Sequence, residues 1–124
     1  MRVATSSGPV YRVQFVHSAH DPKHPIEGQP GGLRQIVDSL ATSMRRRVSL
    51  CEIGVETAGL VYDETKGTLV PGTVTMPLSY GFSVCHYFDQ FVKAEGRARS
   101  FERALHTVKL DKTTKEELSL ALGF

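Results

Sequence analysis

VSLCEIGVETAGLVYDETKGTLVPGTVTM, residues 48–76, is the stretch on which the fold turns. Val48–Val55 and Ala58–Tyr62 are rich in β-branched and apolar residues and read as two strands, and Asp63–Gly67 reads as a turn closing on glycine. Thr68–Val70 and Thr73–Met76 read as a third strand interrupted by Pro71-Gly72, the mark of a bulge or an edge. Working outward, Gly81–Tyr87 makes a further strand on the C-terminal side. On the N-terminal side Val10–His17 alternates, with Tyr11, Val13 and Phe15 on one face. The expectation is a mostly antiparallel sheet of four or five strands.

Helical spacing flanks this block. Leu33, Ile36, Val37, Leu40 and Met44 follow the i, i+3, i+4, i+7, i+11 pattern of a helix with one buried face, ending in Arg45-Arg46-Arg47, whose charge suits exposed C-terminal carbonyls. A long helix, Asp89–Val108 with Asp89 as N-cap, presents Phe91, Ala94, Ala98, Phe101, Leu105 and Val108 as an apolar stripe for the sheet. Capping boxes at Thr113/Glu116 or Thr114/Glu117 announce a short last helix. The fold class is therefore α+β: a sheet packed by one long helix and one or two shorter ones, with the long helix and the Leu33–Met44 helix on the same face. At 124 residues the chain reads as a single domain, 1–124. Residues 18–32 hold three prolines and three glycines, and a loop of that length is functional or mobile.

No apolar run approaches the ~18 residues of a membrane span, and the N-terminus has no apolar signal core. The expected location is the cytoplasm, where Cys51 and Cys85 stay reduced. The net charge of +2 is mild, but its distribution is not even. Residues 1–47 carry seven cations against three anions, residues 48–88 one against four, and residues 89–124 seven against six. An uneven field of this kind suits a charged partner.

The long helix holds the candidate binding surface: Lys93, Gly96, Arg97, Arg99 and Arg103, with Arg45, Arg46 and Arg47 as a second basic element. Gly96 costs roughly 1 kcal/mol against alanine in a helix. On the exposed side it would let a backbone, a phosphate or a base approach closely. The plainer account is a kink in a solvated helix, its arginines paired with Glu95 and Glu102 at helical spacing.

The pattern Asp89-Gln90-Phe91, Lys93, Gly96-Arg97, Arg103-Ala104-Leu105, after a strand ending in Cys85-His86, resembles a module of small bacteriophage and mobile-element proteins, over about thirty residues from Gly81 to Leu105. The resemblance implies an accessory protein of such an element that acts by occupying a host target, anti-CRISPR inhibitors included. Ala98-Arg99-Ser100-Phe101 is more polar than that module's apolar run. The partner expected is a host protein or nucleoprotein complex, contacted as an inhibitor. The alternative is a nucleic-acid-binding module with the arginines on phosphates.

Chemistry beyond binding finds little support. His17, His20, Asp21 and His24 crowd eight residues and include zinc-ligand types, but their spacing matches no metal motif and no cofactor is expected. Cys85 and His86 are adjacent, so on a strand they point to opposite faces. Gly31-Gly32 precedes a helix without a G-x-x-x-x-G-K-[ST] loop. The expectation is a protein that is not an enzyme; a metal-dependent enzyme on the histidine loop is the remote alternative.

Overall fold

A computed structural model describes residues 1–18, 32–85 and 90–124. Among the described residues four strands run in chain order: β1 (Arg2–Ala4), β2 (Val10–His17), β3 (Val48–Asp63) and β4 (Thr68–Val84). Three helices join them: α1 (Leu33–Met44), α2 (Lys93–Thr107) and α3 (Lys112–Leu122). The sheet is antiparallel throughout, with spatial order β1-β2-β3-β4.

The extended segments expected between residues 48 and 84 fuse into one long hairpin. Val48 pairs with Val84 and Asp63 with Thr68, and the one register shift falls at Ile53/Gly54. Pro71 does not break β4 because β4 is an edge strand, where a missing N–H can face away from the ladder. The turn is closed by Asp63, whose carboxylate accepts from the N–H groups of Thr65 (2.9 Å) and Lys66 (3.3 Å), and by Gly67 at φ 65°.

α1 and α2 lie on opposite faces of the sheet, which corrects the single covered face expected from sequence. Residue alternation separates Val16, Leu50 and Val84 from Phe15, Cys51 and Ile53. The first set packs against Val37 and Ala41 of α1; the second belongs with Phe101, Ala104 and Val108 under α2 and Leu118 of α3. Leu50, Ile53 and Leu118 are fully buried, each contributing about 1.5–3 kcal/mol by leaving water. Phe124 closes the end, its ring 5.2 Å from Phe101 and 6.4 Å, edge-on, from Phe15.

The helix termini differ from the sequence expectation. α2 begins at Lys93 with extended Val92 at its N-cap, so its start is later than Asp89. α3 is capped by Asp111, which accepts from the Thr114 N–H at 2.7 Å, ahead of either threonine box. α1 stops where Arg45 turns left-handed, φ 55°. Cys51 is buried and Cys85 half-buried, neither of them in a disulfide, and burial pushes the Cys51 thiol up to about 12. No helix among the described residues is long and apolar enough to cross a membrane.

Candidate functional site

α2 is rolled by roughly a quarter turn from its expected docking face. Its buried residues are Gly96, Ser100, Phe101 and Ala104, while Ala94 is exposed. The cause lies in the strands beneath. A Cβ on Gly81 would stand 2.1 Å from the Ser100 carbonyl oxygen and 2.3 Å from the Ala104 nitrogen, so only glycine lets the helix backbone rest on β4 there. Gly96 is likewise covered: a Cβ would meet Ser49 Oγ at 2.2 Å. Gly96 thus serves close packing against β3 and does not face solvent as expected.

Ser79 of β4 fastens this contact by donating to the Ala104 carbonyl at 2.6 Å, while buried Ser100 satisfies its hydroxyl within α2 on the Gly96 carbonyl at 2.6 Å. Arg103 donates to the Phe82 carbonyl on β4, which ties one of the candidate binding arginines to the fold. A cavity of about 20 Å³, room for one water, lies between Ser49, Ser83, Cys85 and the first turns of α2.

The roll also divides the cations of α2. Arg99 and Arg103, with Glu102, His106 and Lys115, line an open groove of about 580 Å³ toward α3. Lys93 and Arg97 fall on the other flank, beside His17. His17, at the end of β2, shares a 2.7 Å hydrogen bond between Nδ1 and Ser49 Oγ, and its ring meets that of Phe91 edge-on at 5.8 Å. The Arg47 guanidinium stacks over the same Phe91 ring, 4.1 Å from its centroid, and donates to the Ser18 carbonyl at 3.0 Å. Burial lowers the His17 pKa from its ordinary value, and the charges of Arg97, Lys93, Arg47 and Arg34 lower it further.

The first turn of α2 lies against His17, where a Cβ on Gly96 would stand 3.5 Å from the ring, and four cations lower the pKa of this half-buried imidazole: Arg34 from α1, Arg47 immediately before β3, and Lys93 and Arg97 from α2. Arg34 is paired with Asp38 at 3.3 Å. Among the described residues, no carboxylate stands within ion-pair distance of Lys93, Arg97 or Arg99, so the helical pairing weighed for Glu95 is not formed. Arg46 is half-buried and Arg45 exposed, next to Arg47 in sequence. Sequence reasoning named Lys93, Arg97 and Arg47 but missed Arg34 and assigned His17 to a metal question. Its partners in that question, His20, Asp21 and His24, lie outside the described residues, as do most of the 18–32 loop and His86.

A second surface was not singled out at all. Beyond Val55, β2 no longer accompanies β3, and the hairpin continues as a two-stranded arm. No residue of 57–76 joins either core cluster. At its root Glu56 accepts from Arg2 (2.8 and 3.2 Å) and Arg12 (2.8 Å), and those bonds hold its carboxyl at about 2. The signal that could have found the arm is the complete lack of charge in residues 57–62 and 68–76 within two strands that still carry Leu60, Tyr62, Leu69 and Met76. No protein family, curated protein or solved structure matches the chain.

Proposed function

We propose that this protein is a small accessory binding module, of the bacteriophage or mobile-element kind its α2 pattern resembles, that takes hold of nucleic acid in a host nucleoprotein through phosphate contacts. It works in the cytoplasm of the host cell and performs no chemistry of its own. The observation that carries the reading is the meeting of Arg47, over Phe91, with the start of α2 beside His17, where Lys93 and Arg97 have no carboxylate partner among the described residues and the charge of Arg34 is also felt. A surface that concentrates positive charge from separate elements matches a polyanion, since each cation that meets a phosphate releases a condensed counterion. Arg47, held over the Phe91 ring and bonded to the Ser18 carbonyl, is already ordered for such a contact. Arg99, on the far flank of α2, extends the same charge toward the open groove.

Inhibition by protein contact, the anti-CRISPR manner of acting, is the second reading. The open groove of about 580 Å³ beside α2, lined by Leu105 as well as by charged side chains, favours it.

Fluorescence polarisation with labelled single- and double-stranded DNA and RNA oligonucleotides tests the first. Binding is expected to weaken steeply with added salt. Lys93→Glu with Arg97→Glu is expected to lower affinity at least about tenfold and to flatten the salt dependence by roughly one unit of slope per cation, with folding preserved. Absence of binding at low salt would sink the reading. A host protein that stays bound to the immobilised chain after nuclease treatment would promote the second.

A further inference from the structure

We propose that the hairpin arm is a dimerisation element: two copies of this chain pair arm to arm through the face that carries Leu60, Tyr62 and Leu69. The pairing register puts these side chains together. Tyr62 stands opposite Leu69 and Leu60 opposite Pro71, with Ala58 and Thr73 next along the same face. Leu60 and Tyr62 are each 62% exposed and Leu69 58%. A two-stranded ribbon is marginal by itself in water, and large apolar side chains held out on one need a cover.

Charge decides what the cover is. Residues 57–62 and 68–76 contain no charged group, so the arm has nothing with which to meet a phosphate, in contrast to the cationic end around His17. In a two-fold interface every residue faces either its own copy or a neighbour of it, and any charge near the axis would confront the same sign. A charge-free face is complementary to itself without further arrangement. The charges that the hairpin does carry lie at the two ends of this face, Glu56 on the same side as Ala58, Leu60 and Tyr62 but at its root. Glu56 at the root is neutralised by Arg2 and Arg12, and Asp63, Glu64 and Lys66 belong to the turn beyond the apolar pairs. The ribbon from Val55 to Asp63 is about 30 Å long, a sufficient span for two arms to lie along each other. Dimerisation would also place two cationic ends on one particle, which strengthens binding to a polymer without any new contact. The proposal does not depend on what those ends bind.

Sedimentation velocity on the purified full chain, over a wide range of concentration, is the test. The wild-type protein is expected to sediment with twice the 13.7 kDa of one chain, and Leu60→Asp with Leu69→Asp to sediment as one chain with an unchanged circular dichroism spectrum. Arg97→Glu is expected to remain a dimer. A Tyr62→Cys variant treated with a short bis-maleimide is expected to give a covalent dimer, a reading that survives if the aspartate variant fails to fold. Wild-type protein that is a monomer at every concentration overturns the proposal and leaves the arm to a different protein. A dimer that persists unchanged in a folded Leu60→Asp, Leu69→Asp variant overturns it as well.

Discussion

Residues 48–55 and 57–63 are consecutive halves of one strand, β3, and they meet opposite surroundings. In the first half Val48, Leu50, Cys51 and Ile53 are shut between two helices; in the second Leu60 and Tyr62 stand in solvent. Both halves are about equally apolar, so strand composition does not set burial. What differs is the supply of neighbours: β2 stops at Val55, and α1 and α2 cover only the sheet's base. The glycines follow the same division. Gly81 admits a helix backbone, whereas Gly59 and Gly72 leave room for the side chains of Val74 and Val61 on the arm itself.

The widest test of this contrast compares Gly81→Ala with Gly67→Asn. At Gly81 the new methyl would press on helix backbone that cannot give way, and a loss of about 3 kcal/mol or more is expected in thermal or denaturant unfolding. At Gly67, left-handed with nothing within 4 Å, asparagine is expected to cost well under 1 kcal/mol. Equal losses at the two sites would remove the distinction between a packed base and a free-standing arm.

A smaller effect of opposite sign is expected at the cationic end. Arg45 holds a left-handed conformation that an L side chain resists, so Arg45→Gly is expected to stabilise by about 0.5–1 kcal/mol in the same unfolding measurement. A loss of stability would mean that this arginine serves the fold and not the charged surface.

The finest test is pH. Burial and the nearby cations hold the folded His17 below its ordinary value, so between the lowered folded pKa and about 6.5 the unfolded chain takes up more protons than the folded one. Stability is therefore full above about pH 6.5 and declines as pH falls through the folded pKa. His17→Gln is expected to flatten that portion of the stability curve slightly, the other histidines being common to both proteins. Oligonucleotide affinity should run the other way and rise on acidification, as protonated His17 adds a further cation to the cluster. Affinity that is indifferent to His17→Gln at every pH would detach the imidazole from the binding surface.

Most elements were legible in the sequence, but β1 was not, three residues being too few for alternation to show. Alternation marked β2, the 3.6-residue period marked α1, and Asp63 with Gly67 marked the turn. The roll of α2 was not legible, because Gly96, Ser100 and Ala104 look like a weak face on a wheel. They become the docking face only when Gly81, on a strand before the helix, is set beneath them. The unbroken β4 was missed for a related reason: whether Pro71 ends a strand depends on its place at the sheet's edge, which is a fact of topology. Lys93, Arg97 and Arg47 were visible one by one. Their joint effect with Arg34 on His17 was hidden, since it joins residues from α1, β2 and α2 with Arg47 immediately before β3.

The root of the arm also has a mechanical meaning. A ribbon about 30 Å long behaves as a lever whose fulcrum is the bulge at Ile53/Gly54, and a tilt of about 10° there sweeps the tip through roughly 5 Å. The brake on that swing is Glu56, clamped between Arg2 and Arg12. A pull on the tip is accordingly delivered through Arg2 to β1, the shortest strand of the sheet, and through Arg12 to β2.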